Sequence, residues 1–275
     1  MKPLQIGVCS WSLKAPTVPE ALKACREQLG LNLIQLGFFS EQHLADTQAT
    51  IAAVKAGGIE VSATCVGFAG EDYSSIASIA RTGGYVPDAE WPQRYERTLR
   101  VRDITAGLGV AMVTTHIGFV PHEIASPAYR TMRERMRTIA DCLAEKNVTL
   151  TMETGQEPAD VLLQFIADVG RSNIKVNFDP GNVILYGIGD PVEAAAKLAP
   201  HIAHMHCKDA IASDQPGVKW GREVPLGQGQ ARLAEVIRTL KARGYKGPLV
   251  IEREAGADRV GDIRAGIQFL NTVLA

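Results

Sequence analysis

The chain has 275 residues, of which 46% are hydrophobic and 21% charged, a composition typical of an ordinary globular protein with a large buried core. Its 29 basic and 30 acidic residues leave a formal charge of −1, which excludes the strongly basic surface of proteins that bind nucleic acid or anionic membranes. We therefore expect a small-molecule ligand, with no nucleic-acid and no membrane partner.

The cysteines and the N-terminal stretch indicate a cytoplasmic protein. Five cysteines are scattered along the chain without a C-x-x-C pair, which argues against a disulfide framework and against a structural zinc site. The first residues, MKPLQIGVCSWS, lack the apolar segment of a signal peptide. No apolar run approaches the ~20 residues that are needed to cross a bilayer.

Short apolar runs with β-branched residues alternate with longer helical patterns along the whole chain, which predicts βαβ units. The predicted strands are Gln5–Ser10, Leu31–Leu36, Glu60–Val66, Ala111–His116, Val148–Glu153, Ile174–Asp179, Ile202–Lys208 and Leu249–Glu252. The predicted helices are Pro19–Leu29, Glu41–Ala56, a long one within Ala89–Leu108, Ser126–Lys146, Pro158–Val169, Pro191–Leu198, Ala231–Arg243 and Asp258–Leu274. Between the third strand and the third helix, Gly67–Asp88 is predicted to be a long loop that holds a short helix around Ser74–Ala80.

Eight such units in a single domain over residues 1–275 predict an α/β fold of the (β/α)8 TIM-barrel type. A doubly wound sheet is the alternative, but no G-x-G-x-x-G motif follows the first strand. In a barrel, the apolar face of each strand packs outward on helices and the other face points into the lumen.

The strands of the second half end in polar side chains on the lumen face. Alternation along each strand places Glu153, Asp179, His206 and Glu252 on that face, at the carboxyl-terminal mouth where barrel enzymes carry out their chemistry. A single carboxylate at a strand end is more often a helix cap or a surface ion pair. Together, however, three carboxylates and one imidazole are suited to one divalent cation, for which Mn²⁺, Mg²⁺, Co²⁺ and Zn²⁺ are all compatible.

A second histidine, His204, shares its strand face with His206. Because a strand rises about 3.3 Å per residue, His204 is expected roughly 6–7 Å deeper in the barrel, too far to bind the same ion. We therefore predict that His204 supports the site through hydrogen bonds.

Five segments carry a resemblance to a known family. MET, NFDPGN, HMHCKD, PLGQGQ and GPLVIERE, in this order and at these spacings, resemble the xylose-isomerase-like TIM barrels of the sugar phosphate isomerase/epimerase superfamily, over essentially the whole chain. The resemblance implies one divalent metal ion, with Mn²⁺ preferred, held by Glu153, Asp179, His206 and Glu252. It also implies that the two glutamates transfer a proton next to a carbonyl, through a metal-stabilised enediolate. The implied substrate is a keto-sugar, a sugar phosphate or a related polyol, and the implied assembly is a homodimer or homotetramer.

Four further residues are candidates for substrate binding. His116, at the end of the fourth strand, can bind a substrate hydroxyl or be satisfied in the core. Lys208 can bind an anionic or polyol substrate or pair with a neighbouring carboxylate, and Asn182 is expected at the start of the loop after the sixth strand. Trp11, and with it Trp220, can form an apolar wall for a sugar face.

Other functions remain open at this stage. The ketose 3-epimerases carry a histidine where this chain has Asn182 and an arginine where it has Ala212, which weakens the case for a free-ketose 3-epimerase. The H-x-K-D segment is closer to inosose dehydratase, so a metal-dependent lyase acting on an inosose or keto-glycoside is an alternative. An endonuclease IV-like phosphodiester hydrolase would need more histidines and a basic groove. A non-catalytic metal- or sugar-binding barrel is the alternative outside enzymes. Gly227 and Gly229 are interpreted as turn residues, because no Lys-Ser/Thr follows them as in a phosphate-binding loop.

Overall fold

The computed structural model describes residues 4–275, so Met1–Pro3, the start of the stretch in which we predicted no signal peptide, lie outside it. Within this range, the chain forms eight barrel strands and a separate two-stranded hairpin. The barrel strands are β1 (Ile6–Cys9), β2 (Leu33–Phe38), β3 (Glu60–Val66), β4 (Met112–Thr115), β5 (Thr149–Glu153), β6 (Ile174–Phe178), β7 (Ile202–Cys207) and β10 (Leu249–Ile251). The hairpin strands are β8 (Asp209–Ile211) and β9 (Arg222–Val224).

The barrel strands are all parallel and close on themselves in the order β1-β10-β7-β6-β5-β4-β3-β2, with β2 pairing back onto β1. Helices lie between successive strands, so the predicted (β/α)8 barrel is confirmed. The helices are α1 (Val18–Lys23), α2 (Glu41–Leu44), α3 (Thr47–Gly57), α4 (Ile76–Thr82), α5 (Trp91–Gly107), α6 (Pro127–Ala144), α7 (Ala159–Val169), α8 (Pro180–Tyr186), α9 (Pro191–Leu198), α10 (Leu233–Ala242) and α11 (Arg259–Leu274).

Two local predictions need correction. The predicted helix Glu41–Ala56 is two helices, because the carboxylate of Asp46 accepts a 2.8 Å hydrogen bond from the Ala49 N–H and starts α3 afresh. The short helix α8 and the hairpin β8–β9 were not predicted. By contrast, the helix in the long loop after β3 is present, beginning at Ile76 after the capping residue Ser75.

The hydrophobic core lies between the outer face of the barrel and the surrounding helices. In α6, Met132, Met136, Ile139 and Leu143 are buried at intervals of three and four residues, which is the spacing of one helix face. Each such side chain stabilises the fold by about 2 kcal/mol through burial. Packing of the helices on its outer face therefore stabilises the barrel, and its lumen can contain polar side chains.

The lumen below the mouth contains a hydrogen-bonded group centred on His204. The side chain of this fully buried histidine lies 3.0 Å from Oγ of Ser62 through Nε2 and 2.8 Å from Oδ1 of Asn177 through Nδ1. Because β7 and β3 are not neighbours in the barrel, the contact between His204 and Ser62 crosses the lumen. Both ring nitrogens of His204 are thus occupied by partners in the layer below the mouth, as predicted for a supporting residue.

Two whole-chain expectations can be compared with the structure. All five cysteines are buried and carry free thiols. Among residues 4–275, no helix is both long enough and apolar enough to span a membrane.

Candidate metal centre

The four predicted ligands meet at the carboxyl-terminal mouth of the barrel. Glu153 is the last residue of β5, His206 is the last residue but one of β7, and Asp179 and Glu252 directly follow β6 and β10. One donor atom from each side chain lies within 4.8 Å of the donor atoms of the other three. The sequence thus predicted which side chains come together, and their role as metal ligands stays a prediction.

The donor atoms are spaced for coordination of one ion. Nδ1 of His206 lies 3.1 Å from Oε1 of Glu153, 3.3 Å from Oε2 of Glu252 and 3.7 Å from Oδ2 of Asp179. Atoms bound to a common ion at about 2.1 Å are themselves about 3.0–3.4 Å apart. The imidazole therefore faces the carboxylates through Nδ1, and its other nitrogen points away from them.

Asp179 has one carboxylate oxygen with no hydrogen-bond partner. Its Oδ1 accepts a 2.9 Å hydrogen bond from the Asn182 N–H and caps α8, whereas Oδ2 is buried and unpaired among the described residues. Nδ1 of His206 and Nζ of Lys208 each lie 3.7 Å from Oδ2, beyond hydrogen-bond distance. Burying an anionic oxygen without a donor is costly, and a bound cation would remove that cost. This donor set fits a divalent ion.

The charges at the mouth also leave room for a divalent cation. The ammonium of the buried Lys208 lies 2.7 Å from Oε2 of Glu252 and 2.9 Å from Oε2 of Glu254. This single ammonium is shared between Glu252 and Glu254, so it does not fully compensate the three carboxylates of the cluster. A divalent cation would supply further positive charge.

The two glutamates of the cluster sit in electrostatically different surroundings. Burial, with the nearby charge of Glu252, raises the pKa of Glu153 to about 7. Burial raises the pKa of Asp179 as well. Burial also acts to raise the pKa of Glu252, but Lys208 and His206 together outweigh it and hold that pKa well below its usual value. Of the two glutamates, Glu252 therefore holds its negative charge more strongly.

Comparison with known proteins places the chain in a family. The family model for the xylose isomerase-like TIM barrel matches residues 22–273. The chain belongs to this family. A crystal structure of a xylose isomerase domain protein from Planctomyces limnophilus is 34% identical, with a TM-score of 0.90 over 98% of this chain and 97% of that one.

Two further solved structures share the fold, and one further protein is similar in sequence. A xylose isomerase-like TIM barrel protein from Mycobacterium smegmatis, solved in complex with magnesium, is 20% identical with a TM-score of 0.74, covering 98% of this chain and 96% of that one. An L-ribulose 3-epimerase is 19% identical with a TM-score of 0.74, covering 98% and 94%. An uncharacterized protein of Methanocaldococcus jannaschii is 26% identical over 58% of this chain, and the chain spans only 57% of that relative.

Besides Lys208, two of the candidate substrate residues contact the predicted ligands directly. Trp11, in the 3-10 turn after β1, donates a 2.6 Å hydrogen bond from Nε1 to Oε1 of Glu252. Asn182 lies in α8, so its predicted place in a loop was wrong: Asp179 acts as an N-cap and Pro180 fits the first helical turn. From this helix, Nδ2 of Asn182 donates a 3.2 Å hydrogen bond to Oε1 of Glu153.

Lys208 and His116 take different positions at the mouth. Lys208 pairs with Glu252 and Glu254, so the alternative of pairing with neighbouring carboxylates is the arrangement observed. His116 follows β4, and its Nε2 lies 3.1 Å from the hydroxyl of Tyr186. Burial, aided by the charge of Lys208, lowers the pKa of His116 to about 4, so the ring is neutral near pH 7.

Trp220 lies beside Tyr186, and no contact joins it to the four predicted ligands among the described residues. Its ring centroid is 4.6 Å from that of Tyr186, and its Nε1 donates a 3.1 Å hydrogen bond to the carbonyl oxygen of Tyr73. This bond links the loop after β3 to the segment before β9. Trp220 thus belongs to an aromatic group next to His116, separate from Trp11.

Two residues of the site were not identified from the sequence. Gln35, in the middle of β2, places Oε1 2.6 Å from Nε2 of His206. A polar side chain inside the apolar run Leu33–Phe38 was the signal available for it, because a buried glutamine needs a partner. Glu254, two residues after Glu252, binds Lys208 and had no comparable signal in the sequence.

The loop between β9 and α10 does not form an anion site through its glycines. The carboxylate of Asp209 accepts hydrogen bonds from the N–H groups of Gly227 and Gly229, both at 2.9 Å, and of Ala231 at 3.0 Å. A Cβ at Gly229 would lie 2.2 Å from Oδ1 of Asp209, which explains the glycine. The interpretation of Gly227 and Gly229 as turn residues is therefore confirmed.

Proposed function

We propose that this protein is a metal-dependent isomerase or epimerase, which moves a proton on the carbon next to the carbonyl of a keto-sugar, a sugar phosphate or a related polyol. The observation that carries the proposal is the convergence of Nδ1 of His206 with carboxylate oxygens of Glu153, Asp179 and Glu252, one of which, Oδ2 of Asp179, has no other partner. A single divalent cation, Mn²⁺ or Mg²⁺ first, matches these ligands.

The family supports this choice of reaction. Solved structures with the same fold include an L-ribulose 3-epimerase and a xylose isomerase-like protein in complex with magnesium. Among the described residues, both groups of side chains able to hold a metal contain His206 as their sole histidine. This disfavours the multi-zinc hydrolase, which needs several imidazoles.

The two glutamates are positioned to exchange a proton with the substrate. When bound, a divalent cation would neutralise the negative charge that develops on the substrate oxygens as the proton leaves carbon. Glu153 and Glu252 come from β5 and β10, which are separated in the barrel by β6 and β7. Their carboxylates therefore reach the mouth from different sides, so that one removes the proton and the other delivers it.

The neighbours of these glutamates fix their orientation. Trp11 donates to Oε1 of Glu252, and Asn182 donates to Oε1 of Glu153. A carboxylate held by a neutral donor keeps one rotamer while its other oxygen stays available for a ligand or a proton. Both residues thus orient the catalytic carboxylates, and Trp11 keeps its predicted place as an apolar wall for the sugar.

His116 is the best placed of the substrate-binding candidates. Its Nε2 is engaged by Tyr186, and its buried Nδ1 has no partner among the described residues. A neutral imidazole of this kind can exchange a hydrogen bond with a sugar hydroxyl, which would satisfy Nδ1. We propose that His116 binds a substrate hydroxyl at the mouth. We propose further that Lys208, whose Nζ donates a 3.4 Å hydrogen bond to Oδ1 of Asn182, contacts a second substrate oxygen.

A substrate screen tests the proposed reaction. Metal-free protein is incubated with ketoses, ketose phosphates, inososes and keto-glycosides, each with Mn²⁺, Mg²⁺, Co²⁺ or Zn²⁺ and without metal. We expect an isomer or epimer of at least one compound in the presence of metal and none in its absence. Formation of an enone would show the dehydratase reaction instead. No turnover with any metal would contradict the proposal and favour a binding barrel.

A further inference from the structure

Gln35 connects the second strand to the histidine of the proposed metal centre. Its Oε1 lies 2.6 Å from Nε2 of His206 and also accepts a hydrogen bond from the thiol of Cys9, with 3.6 Å between sulfur and oxygen. Both Gln35 and His206 are fully buried. Because β2 and β7 are separated in the barrel by β1 and β10, the contact between them crosses the lumen.

This contact determines which nitrogen of a neutral His206 can coordinate a metal ion. A carbonyl oxygen can only accept, so the group facing Gln35 must be an Nε2–H donor. The lone pair of a neutral imidazole is then on Nδ1, the nitrogen that faces Glu153, Asp179 and Glu252. The opposite tautomer would place a proton on Nδ1 and block coordination of an ion there.

We infer that Gln35 is the positioning residue for His206: its side-chain carbonyl holds the imidazole in the tautomer and ring orientation that present Nδ1 to the metal. The inference rests on the proposed metal centre. Ligating histidines generally donate their second N–H to an acceptor, and the acceptor raises the basicity of the ligand nitrogen. Here the acceptor is a neutral amide that belongs to a different part of the barrel.

The other half of the Gln35 amide does not set its orientation. Its Nε2 is buried without a hydrogen-bond partner among the described residues. A buried NH₂ group left unpaired opposes this amide orientation. The orientation of the amide is therefore set by the hydrogen bonds of Oε1 with His206 and Cys9, and not by a hydrogen bond of the NH₂ group.

The test measures the affinity of metal-free protein for Mn²⁺ by titration calorimetry at one pH. Gln35→Leu and Gln35→Met remove the acceptor with little change of volume, and both are expected to weaken Mn²⁺ binding by about 10–100-fold. Gln35→Glu keeps an acceptor at the same place and should retain affinity close to that of the unaltered protein. Two apolar variants are used so that the test stands if one of them does not fold.

The matched control is Thr114→Val. It removes a buried lumen hydrogen bond of 2.7 Å between Thr114 and Thr151, neither of which contacts His206, and it should leave Mn²⁺ affinity unchanged. Unchanged Mn²⁺ affinity in Gln35→Leu and Gln35→Met would overturn the inference about Gln35. A loss of Mn²⁺ affinity in Thr114→Val equal to that in the Gln35 variants would do the same. Neither result would contradict the proposed metal centre. If the unaltered protein did not bind Mn²⁺ at all, the proposed function would fall and the inference with it.

Discussion

The indole N–H of Trp11 donates a 2.6 Å hydrogen bond to Oε1 of Glu252. The turn after β1, the first barrel strand, therefore contacts the carboxylate that follows β10, the last barrel strand. The second oxygen of Glu252 faces Lys208 at 2.7 Å and Nδ1 of His206 at 3.3 Å. One oxygen is therefore fixed by a neutral donor, and the other points into the proposed metal centre. In the proposed function, Trp11 therefore orients Glu252 in addition to forming a wall for the substrate.

Trp11→Phe removes the donor and keeps an aromatic ring. A hydrogen bond to a charged group contributes about 1.5–3 kcal/mol, so kcat/KM for the substrate found in the screen should fall roughly 10–100-fold. Steady-state kinetics with saturating Mn²⁺ measures this. Trp220→Phe is the control, because its indole donates to the Tyr73 carbonyl. Equal kinetics for Trp11→Phe and the unaltered protein would show that the bond has no catalytic role.

Replacing either catalytic glutamate by glutamine removes the proton acceptor with little change of shape. We expect Glu153→Gln and Glu252→Gln each to lose solvent exchange at the substrate carbon while remaining folded. Nuclear magnetic resonance in D₂O follows the exchange, and circular dichroism checks the fold. Glu157→Gln changes a buried glutamate outside the cluster and should exchange normally. Exchange at the original rate in either catalytic variant would refute its assignment.

Alanine substitutions of the two histidines of β7 should have different effects on the metal content of the protein. His206→Ala removes the proposed ligand, so metal content measured by elemental analysis should drop to background. His204→Ala should retain most of the metal but lower the free energy of unfolding by about 2–4 kcal/mol, since it removes a buried ring and leaves Asn177 and Ser62 without their partner. Denaturant unfolding measures the second effect. The reverse pattern would mean that the wrong histidine had been assigned as the ligand.

Glu157 makes the stability of the fold depend on pH. Burial raises the pKa of its carboxyl from 4.5 to about 8, although the Val120 N–H donates to it at 2.7 Å. The folded protein holds this proton more tightly than the unfolded chain, so the stabilisation is complete below pH 4.5 and is lost as pH rises through 8.

The corresponding variant, Glu157→Gln, does not titrate. Between pH 5 and 8.5 the unaltered protein should lose on the order of 4 kcal/mol of unfolding free energy relative to this variant. Guanidinium unfolding of both proteins at several pH values measures the difference. Parallel pH profiles would contradict the raised pKa.

The strand-end residues could be predicted because two simple rules act on them together. Alternation along a strand fixes which residues face the lumen, and parallel strands bring their carboxyl ends to one mouth, which is enough to group Glu153, Asp179, His206 and Glu252. The depth of His204 follows from the rise per residue alone. Neither rule requires knowledge of side-chain rotamers.

The remaining contacts depend on geometry that the sequence does not specify. Trp11 reaches Glu252 only because a 3-10 turn follows β1. Gln35 meets His206 across the lumen, a contact between strands that are 171 residues apart in sequence. Asn182 could have been placed in a helix, since Asp179 and Pro180 form an N-cap followed by proline, but its contact with Glu153 also depends on the direction of α8.

The most direct test of the account measures deuterium incorporation at the carbon next to the carbonyl of the substrate in D₂O. Metal-free protein, the same protein supplied with Mn²⁺, and an Asp179→Asn variant with Mn²⁺ are compared by nuclear magnetic resonance. We predict deuterium incorporation that requires Mn²⁺. Incorporation should be strongly reduced in Asp179→Asn, because this substitution removes the carboxylate that provides the unpaired oxygen of the centre. Incorporation at equal rates with and without metal would contradict a metal-dependent proton transfer.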